Sequence, residues 1–165
     1  MISEDILKKI DQKILNAYIH ESNRLQQEQS KLLKCIIARE DKGKYVPAFC
    51  SDVADHIKGF ADAEKSVAHI EDDINQIVDL IEGFESVDAL KTALYRAKRQ
   101  IEQAEMEARI AISKASITEG EGALENPRVQ KVLDVRDKVR QDVGTVLKDL
   151  ESKRDKINAI LNKYQ

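Results

Sequence analysis

A hydrophobic repeat of seven constrains this chain more than any other feature. Val53, Phe60, Val67, Ile74 and Ile81 stand seven residues apart, and His56, Ala63, Ile70, Ile77 and Phe84 each follow one of them by three. Two such rows lie side by side on one face of an α-helix and suit a partner helix packed along them, as in a coiled coil. A strand would bury every second residue instead, so the pattern excludes a sheet here. His56 is the one polar member of the seam.

Three other segments read as helix, each with its own start and stop. The first spans 3–42, with Ser3 as N-cap, Glu4 and Asp5 in the first turn, and a break at Gly43 and Pro47. The heptad segment itself spans 51–83, opening at Ser51–Asp52 and closing at Gly83. The third spans 86–118 behind Ser86. Its seam begins with Val87, Leu90 and Leu94 and ends in Ala104, Ala108, Ala111 and Ala115, small residues that let helices approach closely. The fourth spans 127–163, with Asn126 as N-cap, Pro127 at the first helical position and a seam rich in valine. Gly144, inside it, reads as the mark of a close contact.

Connections this short make neighbouring helices antiparallel. The expected fold is therefore all-α: a long up-down-up-down four-helix bundle with coiled-coil-like packing, one domain over residues 1–165. In that topology Tyr45, Val46, Phe49 and Leu124 plug one end. Charge is uneven: residues 51–85 hold ten acidic residues and two lysines, a net of −8, whereas residues 126–165 hold ten basic and six acidic, a net of +4. Solvated helix flanks are the expected role for these charges.

The first segment poses a problem in its middle. In "HESNRLQQEQSK", residues 20–31, Leu25 alone is apolar. Extending the helical rows through it aligns Leu15, Ser22, Gln29 and Ile36 in one and Tyr18, Leu25 and Leu32 in the other. Ser22 and Gln29 would then be polar layers that set register, provided that each finds a hydrogen-bond partner. The expected arrangement is a partly hydrated helix at the edge of the bundle; a bent or detached helix is the alternative.

Composition removes several functions. A net charge of −3 argues against a nucleic-acid surface. Arg96, Lys98 and Arg99 in "YRAKRQ" are followed by Glu102, Glu105 and Glu107, which can neutralise them along the helix. No window is apolar enough to cross a bilayer, and "MISEDILKKI" lacks the core of a signal peptide, so a cytoplasmic location without stable membrane insertion is expected. His20, His56 and His69 each have a carboxylate nearby, but no Glu-x-x-His pair occurs, so neither a metal nor another cofactor is expected. Cys35 and Cys50 form no metal pattern. A bridge between them requires the loop to fold back along the first helix, and a reducing cytoplasm disfavours it.

No catalytic constellation emerges from these residues. The expected function is a non-enzymatic interaction or scaffold protein acting through helix–helix association with a protein partner or a second copy, a homodimer first. The candidate interaction residues are Ser22, Leu25 and Gln29 on the first segment, and Ile110 and Ile117 on the third. The last two lie off the alanine seam near Met106, where they either widen burial within the chain or meet a second molecule. The alternatives are a small-molecule-binding or sensory bundle and an amphipathic bundle on a membrane surface.

Overall fold

The computed structural model describes residues 2–40 and 45–164. The protein is all-α, with five α-helices and no strand among the described residues. They are α1 (Glu4–Ile10), α2 (Gln12–Glu40), α3 (Val53–Leu80), α4 (Val87–Glu119) and α5 (Pro127–Leu161). Short 3-10 turns precede α3 (Ala48–Asp52), link α4 to α5 (Gly120–Glu125) and follow α5 (Asn162–Tyr164). Their close packing groups the chain into two compact units. One holds residues 1–82 with 159–165; the other holds 83–158.

The first expected helix is two. Asp11 is extended, with φ −170° and ψ 144°, and its Oδ1 accepts a hydrogen bond from the Lys13 amide at 2.7 Å. An aspartate carboxylate that satisfies the amide two residues on competes with helix continuation and caps the next helix instead. Neither glycine nor proline is involved. The expected break at Gly43 lies outside the described residues.

In the first unit α2 and α3 run antiparallel. Pairs across them follow in opposite order: Tyr18 with Glu71, Glu28 with His56, Cys35 with Cys50. Apolar burial is concentrated at the end away from the turn, where Leu7 and Ile10 of α1 join Ile14, Leu15 and Tyr18 of α2 and Ile70, Ile74 and Ile77 of α3. The turn end is held covalently. Cys35 and Cys50 form a disulfide, with Cα atoms 5.4 Å apart, and both are buried. The expectation against a bridge is thereby corrected. The 3-10 turn folds Cys50 back onto α2, and the Arg39 guanidinium donates to the Cys50 carbonyl at 3.1 Å.

The start of α3 also differs from expectation. Ser51 does not cap it; its hydroxyl donates to the Ala48 carbonyl within the 3-10 turn, and that turn runs directly into the helix. The start of α4 is as expected, with the Ser86 hydroxyl accepting from the Ala89 amide at 3.0 Å. So is that of α5, where Asn126 Oδ1 accepts from the Arg128 amide at 2.8 Å.

The second unit is the α4–α5 hairpin. Asn126 donates to Glu119 near the turn and Arg140 pairs with Glu105 at 3.1 Å, again antiparallel. Ala97, Ala104 and Ala108 of α4 are buried, as are Val129 and Leu150 of α5. Gly144 has no atom within 4 Å of where a Cβ would stand, so it marks no close contact. Tyr45, Val46, Phe49 and Leu124, expected to be covered, are all exposed.

Candidate functional site

The row of α2 that turns towards α3 is Ile14, Glu21, Glu28 and Cys35, spaced by seven; the ends are buried and both glutamates half-buried. The polar layers are thus Glu21 and Glu28, not Ser22 and Gln29. Gln29 and Ile36 are exposed; Ser22 and Leu25 are half-buried. Two neighbours on α3 accommodate Glu28. Its Oε2 lies 3.2 Å from His56 Nδ1, and the opposite ring nitrogen, Nε2, donates to the Phe49 carbonyl at 3.0 Å. A Cβ on Gly59 would stand 3.2 Å from Glu28 Cδ, so the glycine leaves room for the carboxylate. Phe49 meets the His56 ring edge-on, with centroids 5.8 Å apart.

A second polar centre lies further along α3. Asp73 is 2% exposed. Lys163 Nζ is 3.2 Å from its Oδ1, and the Tyr164 hydroxyl donates to its Oδ2. His69 Nε2 stands 3.9 Å from the same Oδ2. Burial, and then the hydrogen bond to Asp73, push the Tyr164 hydroxyl well above its ordinary value of 10.0. Tyr18 is shifted the same way by burial and by its hydrogen bond to Glu71. Sequence reasoning missed this clasp because a carboxylate inside a helix seam is uncommon.

Beside the clasp runs an open groove of about 870 Å³ in the first unit. Ala17, His20 and Glu21 of α2, Lys65 and His69 of α3, and Tyr164 are among its walls. Asp73 uses its oxygens to hold the chain end onto α3, so its chemistry is that of an anchor. Among the described residues no group of three or more His, Cys, Asp or Glu side chains could hold a metal ion. No helix among them is long and apolar enough to cross a membrane.

Exposed apolar side chains form two further features. At the bridged end of the first unit, Leu33 and Ile37 occupy the face of α2 opposite buried Cys35, since residues two apart on a helix point away from each other. Ile36, Ile57, Val46 and Phe49 are exposed close by in sequence or through the bridge, and Tyr45 is 82% exposed. In the second unit, Ile110 and Ile117 are 46% and 83% exposed, with Met106 at 60% and Tyr95 at 62%. All four lie on the side of α4 opposite its alanine seam. Neither isoleucine widens burial within the chain. Comparison with known proteins adds no assignment. No family model, curated protein or solved structure matches the chain.

Proposed function

We propose that the protein is a non-enzymatic helical interaction module that binds a protein partner or a second copy through helix faces. One observation carries this reading: at the bridged end, Leu33, Ile36 and Ile37 of α2 and Tyr45 of the loop project outward instead of filling a core. Contiguous exposed apolar patches on a folded chain characteristically mark interaction sites. The four long helices α2 to α5 are the elements from which a coiled-coil-like bundle, within one chain or shared between two, would be built. Ser22, Leu25 and Gln29 remain candidates beside this patch, as half-buried or exposed rim positions on α2.

The disulfide favours an oxidising compartment over the cytoplasm expected from composition, because structural disulfides persist where thiols are not kept reduced. Counting free thiols after alkylation in the source cell tests this. For the interaction reading, Leu33→Glu with Ile37→Glu should abolish partner capture or self-association while the helical spectrum and melting midpoint hold. A wild-type mass of 18.7 kDa at every micromolar concentration, with no partner captured by cross-linking, would overturn it.

The groove beside Tyr164 supports a second reading, a small-molecule-binding bundle, since its walls combine apolar area with His20, Lys65 and His69. Native mass spectrometry of the protein as purified separates the two: a retained small molecule favours the groove.

A further inference from the structure

Three rows run along the outer side of α2, each spaced by seven: Ile19, Gln26 and Leu33; Ser22, Gln29 and Ile36; Asn23, Ser30 and Ile37. Rows offset by three and four residues share one face of a helix, here the face turned away from the row of Glu21, Glu28 and Cys35 that meets α3. Eight of the nine side chains are exposed and Ser22 is half-buried. None is charged, although charged residues make up 35% of the chain. All five charged residues of the stretch 19–37, namely Glu21, Arg24, Glu28, Lys31 and Lys34, fall among its other ten positions.

A helix face that stays in water normally carries Lys and Glu, which cost much to strip of water. An amide or a hydroxyl can be covered once it is hydrogen-bonded. The composition of the face also restricts its occupant. Each amide and hydroxyl both donates and accepts, so it can pair with its own kind, which a carboxylate or an ammonium cannot. With no charge on it, the face meets a copy of itself without like-charge repulsion. Register completes the choice. In a parallel pair, a two-fold along the helices sets Ile19 on Ile19, Gln26 on Gln26 and Leu33 on Leu33. The flanking rows then meet each other: Asn23 with Ser22, Ser30 with Gln29, Ile37 with Ile36. Apolar residues lie on apolar ones and polar on polar at every layer. An antiparallel pair about Gln26 would instead leave Ile36 and Ile37 opposite residues 15 and 16, where Leu15 is already buried in its own chain and Asn16 is polar. The next member of the central row, Glu40, is charged, and the seam ends before it.

We propose that this uncharged face of α2 is a self-recognition surface on which two copies of the chain pair parallel and in register, with Gln26 as the polar layer that sets the register. The proposal rests on the interaction reading above and narrows its partner to a second copy. It extends the contact from Leu33, Ile36 and Ile37 along the helix to Ile19, and places Ser22 and Gln29 inside it.

Charge exchange and cross-linking test it. Gln26→Glu sets two carboxylates face to face and should raise the dimer dissociation constant at least about tenfold, a loss of about 1.4 kcal/mol. Gln26→Lys should do the same, and mixing the two variants should restore the dimer. Because Gln26 is exposed, the helical spectrum of each should hold. Cys35 and Cys50 are bonded to each other, so one added cysteine has no partner within its own chain. Under mild oxidation of the full chain, Ile19→Cys and Leu33→Cys should each link to itself. A mixture of the two should give no mixed dimer, since the two positions lie about 21 Å apart along the axis at 1.5 Å per residue. Links found only in the mixture would overturn the parallel register. A dimer that ignores both Gln26 variants and gives no cross-link would overturn the surface while leaving the interaction reading intact. A monomer at all concentrations that still captures a different protein through Leu33 and Ile37 would overturn the second copy as partner and keep that reading. A monomer that captures nothing would remove both.

Discussion

Glu28 shows how a single glycine can determine whether a charge is tolerated inside a helix pair. A Gly→Ala change in a helix interior normally stabilises by about 1 kcal/mol. At Gly59 the new methyl would stand 3.2 Å from Glu28 Cδ and 3.3 Å from Oε2. It would push the carboxylate away from His56. Gly59→Ala alone should therefore give less than the usual gain, and the full gain should return in a Glu28→Ala background. Urea midpoints of the four proteins measure this; equal gains in both backgrounds would mean that Glu28 moves aside freely. Tyr164 makes a second residue-scale case. Tyr164→Phe leaves a buried carboxylate oxygen without its hydroxyl donor and should cost roughly 1 to 3 kcal/mol at neutral pH. The hydroxyl's pKa is higher in the folded chain than its ordinary value of 10.0, so the folded state holds this proton more tightly. The hydroxyl's contribution is thus complete below about pH 10 and lost as pH climbs towards the folded value. The wild-type advantage over Tyr164→Phe should shrink above about pH 10. A difference that stays constant up to the alkaline limit of folding would refute the clasp.

At the scale of elements, the helices differ in what they can bury. In α3 the buried apolar residues run from Ala63 to Ile77, after the polar contact of His56 with Glu28 near the start of the helix. In α4 the seam tapers to alanine, and Ala108 is almost wholly enclosed. Adding three carbons there forces the hairpin apart, so Ala108→Leu should cost about 1 to 3 kcal/mol. Leu25, half-buried on α2, should matter less when cut to alanine. Denaturant midpoints in the opposite order would mean that the alanine face is open and the middle of α2 central. The break at Asp11 belongs to this scale as well. It turns α1 into a separate short helix whose Leu7 and Ile10 close the end of the first unit.

For the whole molecule, the disulfide matters most. It joins residues separated by 15 positions, and a bridge closing about that many residues stabilises by about 3 kcal/mol, mainly by restricting the unfolded chain. Reduction, or Cys35→Ser with Cys50→Ser, should lower stability by about that amount. An unchanged midpoint would show that packing alone holds the turn end. If the apolar surface near the bridge is the interaction site proposed above, the bridge also bears on binding. With α2 and the loop tied together, Tyr45 and Ile37 are presented on a restrained end, which lowers the ordering cost of association.

Periodicity alone determined that the chain is helical, where two of its four long helices begin, and which faces of α3 and α4 are buried. Those features depend on near neighbours: a cap reaches three residues, and a seam repeats every seven. Tertiary structure decided what distant residues do to one another. Towards the C-terminal end of α2, Ile36 is the more apolar residue, yet Cys35 turns inward because Cys50 returns to meet it. That rotation by one residue puts Glu21 and Glu28, rather than Ser22 and Gln29, towards α3. Asp73 likewise is one acid among ten in its region until Lys163 and Tyr164, ninety residues away, arrive at its oxygens. A buried carboxylate or thiol depends on a partner that chain folding must deliver, and local spacing carries no record of that delivery.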